Sequence, residues 1–431
     1  MTVSRRTVWW AAAVAYAVLL VALGVRSYIF PVYDLDGSTL LVGTSWAGIF
    51  LTVLSRRKQL SKWHYAMAAG LVLITYLSYP DTSRDAFRYL FDGEIIRIWH
   101  LSPYTALPIN LPIDQYSSIF SGVWWTKIPS PYGPLWQALM VGINFLSGNE
   151  VFNGLIFLKL VNAAALLVCA RYTYLITRKA WLSYSVLINP VILINATHSP
   201  HPDLIIAALL LAAYYHTNAA ARGFLVSAAG LIKFHALIFA PFFARRLRDV
   251  AKLGIATVAG LGVLLLILKP LTGFELGSML TANKGGGLQG IFSLPVYNAI
   301  PGLSIKTIFG ISYALFVTAY AAIAWAYFRG KLSRLNALTY VSLLVPLLLT
   351  GLLFPWHFII SVAFLLLSDS LMALAAVSFI GIFSFNAPLN TAVLIMFAAL
   401  FYAAGYVIRW VGGQLSEPPK VFSVIGRIII A

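Results

Sequence analysis

The sequence predicts an all-α polytopic membrane protein, and three observations lead to that class. Of the 431 residues, 60% are hydrophobic and only 10% are charged, whereas about a quarter of an average soluble domain is charged. Apolar runs of about 20 residues, enough for a helix to cross roughly 30 Å of hydrocarbon, recur along the chain. Short basic clusters separate many of these runs. An ordinary soluble protein is therefore excluded.

We predict one integral membrane domain over residues 1–431, an all-α bundle with about 11–13 transmembrane helices. The candidate spans are residues 7–29, 38–55, 63–79, 152–176, 182–196, 203–217, 253–270, 305–328, 335–353, 356–368, 370–384 and 390–411. Two further apolar stretches, 132–148 and 223–244, are ambiguous. In the topology that we prefer, 132–148 lies along the membrane surface and 223–244 is broken near Lys233 into a re-entrant pair.

The charge distribution predicts the orientation. The chain has 30 Lys and Arg against 13 Asp and Glu, a net charge of +17. Its basic clusters lie in short loops, which favours the positive-inside bias of cytoplasmic loops over a nucleic-acid partner. In the preferred topology these clusters and both termini are cytoplasmic, and most acidic residues face outward. The outer face is therefore where carboxylate chemistry can occur.

Two polar interruptions predict extracytoplasmic loops. Residues 80–134 form the longest one, and their amphipathic stretches and proline corners indicate a structured extracytoplasmic loop with juxtamembrane helices. Residues 271–303 predict a second outer loop. Its glycines at 285–287 follow no strand and precede no Gly-Lys-Ser/Thr, so a phosphate-binding loop is excluded there.

The most informative segment is residues 79–94, Tyr-Pro-Asp-Thr-Ser-Arg-Asp-Ala-Phe-Arg-Tyr-Leu-Phe-Asp-Gly-Glu. A helix from about residue 83 places Asp85, Arg88 and Asp92 on one face. A positioned aspartate can accept a proton from a sugar hydroxyl, and an arginine can bind phosphate oxygens through its planar fork. The alternative is a mutually neutralising ion-pair patch on an interfacial helix.

Further candidates lie outside this helix. Tyr104 and Tyr132 occupy Ser-Pro-Tyr and Pro-Tyr-Gly-Pro corners, for which a structural role is the simpler interpretation. His201 and Asp203 follow a span at its outer end and could orient a sugar, ligate a metal or relay a proton. A metal site normally needs more convergent ligands, so we favour the hydrogen-bonding role.

Two more motifs interrupt apolar stretches. Lys233 stands alone in Gly-Leu-Ile-Lys-Phe-His, where an ionisable side chain is costly and indicates function. Its alternative is a lysine that snorkels to the interface. Trp356 and His357 lie in Phe-Pro-Trp-His and could offer a stacking surface and a donor to a sugar, or belong to the interfacial aromatic belt.

Together these motifs resemble polyprenyl-phosphate-dependent mannosyltransferases of the GT-C superfamily. The motifs are Asp85-Ala-Phe-Arg-Tyr-Leu-Phe-Asp-Gly93, Ser-Pro-Tyr104, Pro-Tyr132-Gly-Pro, His201-Pro-Asp203, Lys233-Phe and Pro-Trp356-His. They are most similar to actinobacterial α-1,6-mannopyranosyltransferases, in which Asp-x-x-Arg-Tyr-x-x-Asp-Gly, Asn-Pro-Tyr, Gly-His-Asn-Asp and Pro-Trp-Tyr occur in this order. Residues 87–104 also resemble a loop of the mannosyltransferase that adds the first mannose to glycosylphosphatidylinositol. Ser102, Pro200, Pro202 and His357 depart from the pattern and leave acceptor and sugar open.

The resemblance implies a GT-C-like bundle in which the extracytoplasmic loop 80–134 is catalytic. It also implies the activity of an inverting glycosyltransferase of the plasma membrane. Its donor would be a polyprenyl- or dolichyl-phosphate hexose, and the resemblance favours mannose as the hexose. This lipid donor would enter the site from the bilayer. Its acceptor would be a glycan or glycolipid on the extracytoplasmic side. We assign no metal-binding residues, although the carboxylates could bind a divalent ion.

With this resemblance, each candidate residue receives an expected role. Asp85 is the candidate general base, with Asp81 in reserve. Arg88 and Lys233 are expected to bind the donor phosphate. The expected sugar and acceptor residues are Asp92, Tyr104, Tyr132, His201, Asp203, Trp356 and His357.

The main alternative is a transporter or flippase of lipid-linked sugars, in which intramembrane charges would mark a translocation path. Transporters tend to show internal repeats and charges near mid-membrane. Here no repeat is visible and the unusual residues gather at the outer ends of spans, so we favour the enzyme. A structural membrane subunit is disfavoured by the density of polar groups in one loop.

Overall fold

The computed structural model describes residues 5–29, 35–56, 59–112, 119–277, 302, 304–349, 354–368, 374 and 377–378. Throughout these residues the regular structure is helical with no strand, which confirms the all-α class. The helices are α1 (Arg5–Ile29), α2 (Leu35–Ser55), α3 (Lys62–Leu77), α4 (Asp85–Arg97), α5 (Pro134–Ser147), α6 (Val151–Thr177), α7 (Ala180–Ile188), α8 (Pro190–Ile192), α9 (Asp203–Tyr215), α10 (Ala219–Gly230), α11 (Leu247–Thr272), α12 (Ile305–Phe328), α13 (Arg334–Leu344) and α14 (Ile359–Leu367). Shorter helical turns are Pro108–Asn110, Phe120–Gly122, Leu193–His198, Phe234–Phe243, Val345–Leu349 and Pro355–Phe358.

Several long apolar helices confirm the polytopic membrane class. Four are long and apolar enough to cross a membrane, namely Arg6–Ile29, Val151–Thr177, Leu247–Thr272 and Lys306–Phe328. The pair Ala180–Ile188 and Pro190–His198, bent by 41°, would be a fifth span. Other apolar helices of the described chain are shorter, so the predicted span total stays a prediction. Most of the predicted span 370–384, all of the span 390–411 and most of the loop 271–303 lie outside the described residues.

The bend between α7 and α8 has a local cause. The Asn189 side chain accepts hydrogen bonds from the backbone N–H groups of Val191 and Ile192, at 3.0 and 3.3 Å. Pro190 occupies the first helical position, where its missing N–H costs nothing. The segment then continues as the π-helical turn Leu193–His198. This path delivers His198 to one end of the bundle.

The predicted break near Lys233 is present. Helix α10 ends at Gly230, Lys233 is extended with φ −142° and ψ 124°, and a 3₁₀ helix starts at Phe234. The start of α5 fixes the position of this break. The Gly133 N–H donates to the carbonyl of Ile232 at 2.8 Å, and the Leu135 N–H donates to the carbonyl of Leu231 at 2.9 Å. Whether the two halves form a re-entrant pair stays a prediction.

Basic residues gather at one end of the bundle. The Arg222 Nη1 donates to the carbonyl of Phe243 at 3.0 Å, and the Arg334 guanidinium lies 5.7 Å from the Tyr214 ring centroid. Because α9 runs from Asp203 to this end over 13 residues, its first residue lies about 20 Å away along the helix. We call these two ends the basic end and the site end.

Helix α4 is enclosed by protein at the site end. Its residues from Asp85 to Ile95 are all buried. Gly93 allows α5 to approach, because a Cβ there would lie 2.4 Å from the backbone oxygen of Met140. The helix thereby presents Asp85, at its first turn, to the other elements that meet at this end.

Candidate active site

Asp85 has a carboxylate that is fixed yet still reachable. Its Oδ1 accepts a hydrogen bond from the indole N–H of Trp125 at 2.9 Å. Its Oδ2 lies 3.4 Å from the Tyr89 hydroxyl and 3.9 Å from His201 Nδ1. About 12% of the side chain is exposed. A small part of the Asp85 side chain thus reaches the surface of the protein.

Tyr89 joins the groups around Asp85. Its hydroxyl lies 2.9 Å from His201 Nδ1 and 3.2 Å from the Tyr132 hydroxyl. Since the hydroxyl has one proton, it donates to a single neighbour and accepts from the others. Sequence analysis gave Tyr89 no role, although its spacing of four residues from Asp85 on a helix was the available signal.

Lys233 and Asp203 form an ion pair beside this cluster. The Lys233 Nζ lies 2.7 Å from Asp203 Oδ2 and 5.6 Å from the Tyr132 ring centroid. About 12% of the lysine side chain is exposed. The second oxygen of Asp203 is buried and has no hydrogen-bond partner among the described residues. The pair thus places a cation and a free carboxylate oxygen at the site end.

An aromatic stack forms another wall. The His201 ring lies 3.7 Å from the Trp356 ring at an interplanar angle of 15°, and Trp356 stacks on Phe354 at 4.4 Å and 11°. His357 packs edge-on against Trp356. His201 Nε2 is buried and has no hydrogen-bond partner within the described part of the chain. A ligand hydroxyl brought to this nitrogen would give it the hydrogen-bond partner that it lacks.

Burial governs the protonation of the central groups, both of which lie outside the long apolar helices. Burial raises the pKa of Asp85, while the Trp125 hydrogen bond and the Lys233 charge oppose that rise. Burial, reinforced by the Lys233 charge, holds the pKa of His201 well below its usual range. His201 is therefore a neutral imidazole, and Asp85 has a stronger affinity for a proton than an exposed aspartate.

Arg88 and Asp92 are engaged by the protein. Arg88 Nε lies 2.7 Å from Asp92 Oδ1, and Nη1 donates to the carbonyls of Trp125 and, at 3.0 Å, Ile128. Asp92 Oδ2 accepts from the Gln137 amide at 3.2 Å. Arg88 Nη2 is buried without a hydrogen-bond partner among the residues described. The pair anchors the loop that carries Trp125, and the predicted ligand contacts of Arg88 and Asp92 stay predictions.

Comparison with known proteins identifies the family. Residues 3–248, more than half of the chain, match the family model described as alpha-(1->6)-mannopyranosyltransferase, N-terminal domain. The chain belongs to this family. The matched range contains Asp85, Tyr132, His201, Asp203 and Lys233, whereas the Trp356 stack lies beyond it.

Three curated relatives carry this family name, one of them as a probable member. The chain is 31% identical to alpha-(1->6)-mannopyranosyltransferase A of Mycobacterium tuberculosis over 144 residues, 32% of this chain and 27% of that protein. It is 22% identical to alpha-(1->6)-mannopyranosyltransferase B of Corynebacterium glutamicum over 330 residues, 65% of this chain and 54% of that protein. The third, a probable alpha-(1->6)-mannopyranosyltransferase of Mycolicibacterium smegmatis, is 27% identical over 153 residues, 33% of this chain and 26% of that protein. The matches thus span from about a quarter to about half of these relatives. No solved structure matches the chain significantly.

In this alpha-(1->6)-mannopyranosyltransferase family member, Asp81 occupies a different environment from Asp85. Its Oδ1 lies 2.6 Å from His198 Nε2 and its Oδ2 lies 3.0 Å from Arg26 Nη1. Only 2% of the residue is exposed. Nearby, the buried Lys159 ammonium donates to three carbonyls at the end of α3. Both Asp81 oxygens are thus engaged, and its role as the reserve base stays a prediction.

Tyr104 lies apart from the Asp85 group. It packs edge-on against Phe274 at 5.2 Å in a small cluster with Phe234 and Leu265. The structure brings together the predicted residues Asp85, Tyr132, His201, Asp203, Lys233, Trp356 and His357. Across the described residues there is no group of three or more His, Cys, Asp or Glu that could hold a metal ion.

Proposed function

We propose that this chain is an inverting mannosyltransferase of the extracytoplasmic side. The donor is a polyprenyl- or dolichyl-phosphate mannose, and the acceptor is a hydroxyl of a glycan or glycolipid. One observation carries the proposal: a partly exposed Asp85 carboxylate, oriented by Trp125 and Tyr89, lies at one site with the Lys233–Asp203 ion pair. A base and a phosphate-binding cation are what this reaction requires.

Asp85 acts as the general base. The acceptor hydroxyl gives its proton to Asp85 while its oxygen bonds to the anomeric carbon of the donor mannose. The bond from that carbon to the phosphate oxygen breaks, and the lipid phosphate leaves with the electron pair. Because burial raises the pKa of Asp85, its carboxylate is a better proton acceptor than an exposed aspartate.

Lys233 stabilises the leaving group. Negative charge develops on the lipid phosphate as the glycosidic bond breaks, and a fixed cation in a site that excludes water stabilises such charge strongly. Asp203 holds the ammonium in position at 2.7 Å. Arg88 Nη2 supplies a second cationic donor.

Unpartnered polar atoms bind the sugar. His201 Nε2 and the free oxygen of Asp203 would meet mannose hydroxyls, since buried polar groups without partners favour a ligand that satisfies them. The Trp356 ring supplies a stacking face. His357, Tyr132 and Asp92 complete this set, whereas Tyr104 shapes a more distant part of the groove.

The proposed sidedness rests on charge. The Asp85 group lies at the site end, and residues such as Arg222 and Arg334 lie at the basic end. The positive-inside bias places the basic end in the cytoplasm, which puts the catalytic group outside. A donor that resides in the plasma membrane would then reach the site from the bilayer.

The test is mannosyl transfer by the purified protein in lipid, with polyprenyl-phosphate mannose and a panel of α-mannosides that includes 1,6-linked ones. We expect transfer by the wild type and a loss of roughly 10²–10⁴-fold in Asp85→Asn, with donor binding retained. Asp249→Asn is the matched control. Asp249 lies in the first turn of the 26-residue α11, about 35 Å along the helix from the end that accepts a hydrogen bond from Ser102.

Three results would alter the assignment. Undiminished transfer by Asp85→Asn would remove Asp85 as the base, and Asp81→Asn would be assayed next. Donor movement across liposomes without extension of any acceptor would favour a flippase. Loss of wild-type activity on chelation, restored by a divalent ion, would add a metal to the mechanism.

A further inference from the structure

Two adjacent tryptophans border the site and have no role in the mechanism above beyond one hydrogen bond. Trp124 and Trp125 follow the 3₁₀ turn Phe120–Gly122. Trp124 is 58% exposed and Trp125 is 38% exposed. Two large aromatic side chains are thus presented outward beside the proposed catalytic base.

Hydrogen bonds to its backbone fix the loop that carries these tryptophans. The buried Arg88 guanidinium donates to the carbonyls of Trp125 and Ile128. The backbone N–H of Thr126 donates to the carbonyl of Trp124 at 3.0 Å, and the carbonyl of Thr126 accepts from the N–H of Ile109 at 3.1 Å. The two rings therefore project from a fixed backbone, which lowers the entropy cost of binding a ligand.

Trp125 is tied directly to the reacting group. Its indole N–H donates to Asp85 Oδ1 at 2.9 Å. An acceptor hydroxyl that gives its proton to Asp85 must lie within hydrogen-bond reach of that carboxylate. A sugar ring that bears this hydroxyl would come close to the Trp125 ring, which is 38% exposed.

The neighbouring ring extends this surface. The Arg84 guanidinium lies 5.3 Å from the Trp124 ring centroid, a distance that permits a cation–π contact. Aromatic faces bind the apolar C–H faces of pyranose rings, while nearby polar groups fix their orientation. The chain thus offers a second aromatic ring one residue away from the one that contacts Asp85.

We propose that Trp124 and Trp125 form the acceptor subsite of the proposed transferase. The sugar that bears the attacking hydroxyl packs against Trp125, and the next sugar of an oligosaccharide packs against Trp124. This inference rests on the proposed function and names the substrate that the exposed side of the site receives: a glycan of at least two pyranose units.

A glycan fits this surface better than a lipid bilayer. Tryptophans of the membrane interface place an apolar body in the lipid and a polar tip in the wet region. Here the polar tip of Trp125 is turned inward to a mostly buried carboxylate, and Trp124 faces a guanidinium. The experiment below distinguishes an acceptor subsite from a role in membrane contact.

The experiment compares Trp124→Ala with Trp124→Tyr and with Trp63→Ala. Trp63 is a matched control because it is 55% exposed. It lies at the start of the 16-residue α3, about 21 Å along the helix from the end nearest Asp81. Kinetics are measured with an α-1,6-mannobiose acceptor, and binding of an α-1,6-mannotriose is measured separately without donor.

We expect Trp124→Ala to raise the acceptor KM by roughly tenfold, with kcat and donor KM unchanged. Trp124→Tyr should recover most of that loss, because an aromatic face is retained, and Trp63→Ala should match the wild type. Trisaccharide binding should weaken in parallel. An unchanged acceptor KM and unchanged trisaccharide binding in Trp124→Ala would overturn the inference.

Other outcomes separate the two proposals. A rise in donor KM with unchanged acceptor KM in Trp124→Ala would assign Trp124 to membrane contact and overturn the acceptor subsite. If the wild type transfers no sugar yet binds the trisaccharide, and Trp124→Ala weakens that binding, the subsite stands while the transferase proposal fails. If the wild type transfers no sugar and binds no trisaccharide, both fail.

Discussion

The contact between Gly133 and the break that carries Lys233 can be tested with one added methyl group. Gly133 has φ −73° and ψ 165°, which alanine adopts without strain, so the only cost of Gly133→Ala is space. A Cβ there would lie 2.2 Å from the backbone oxygen of Leu231, whereas real Cβ atoms keep at least 3.0 Å. The two backbone segments must therefore separate.

The size of the effect follows from what this contact holds. The Gly133 N–H donates to the carbonyl of Ile232 at 2.8 Å, and the N–H of Leu135 donates to that of Leu231 at 2.9 Å. Overpacking of this kind costs about 1–3 kcal/mol of stability. Lys233 directly follows Ile232, so its ammonium should move on the order of 1 Å when this contact opens. Such a displacement can reduce a catalysed rate by about 10²-fold.

The assay measures thermal unfolding and kcat/KM for Gly133→Ala beside Gly142→Ala. Gly142 lies within α5, and a Cβ there meets nothing within 4 Å, so its replacement should stabilise the helix by about 0.5–1 kcal/mol and leave transfer unchanged. Wild-type Tm and activity in Gly133→Ala would refute the steric argument. A lowered Tm with full kcat would refute the placement of Lys233 through this contact.

Three further predictions concern the aspartates and their partners. Since Asp85 must be ionised to act as a base and burial raises its pKa, kcat/KM should fall as the pH drops through a value above the ordinary carboxyl range. Trp125→Phe removes a hydrogen bond that lowers this pKa, so the acidic limb of the pH profile should move to higher pH; an unmoved limb would contradict the assignment. Tyr89→Phe loses one hydroxyl that lies near Asp85 and His201, and we expect kcat to fall about tenfold, the effect of 1.4 kcal/mol, with the acidic limb again at higher pH. A change in acceptor KM alone would instead show that Tyr89 contacts the substrate. Asp81→Asn breaks a buried ion pair with Arg26 and should cost roughly 3–5 kcal/mol of stability, seen as a lowered Tm. The folded fraction should keep its kcat. A folded fraction that has lost its kcat would instead make Asp81 the candidate base.

The sequence by itself determined the class of the protein and the position of its main breaks. A bilayer leaves a spanning chain few ways to satisfy its backbone, so long apolar runs specify helices without reference to the rest of the fold. The neighbouring residues were likewise enough to predict the break near Lys233 and the helix that begins at Asp85. Helical periodicity alone placed Asp85, Arg88 and Asp92 on one face.

The tertiary structure decided what each of these residues can do. Asp81 and Asp85 look alike in the sequence, yet the Asp81 oxygens meet Arg26 and His198, which are 55 and 117 positions away. Asp85 instead keeps a partly exposed carboxylate. Nothing local to Asp81 encodes its engagement, because both of its partners come from distant segments of the chain.

The same reason separates the remaining predicted residues. Tyr104 and Tyr132 occupy similar proline corners, but only Tyr132 lies against Tyr89 and Lys233. Arg88 was expected to bind phosphate, and folding turned two of its nitrogens toward Asp92 and two loop carbonyls. A buried charge requires partners, and those partners are chosen by which distant segments the helices bring together.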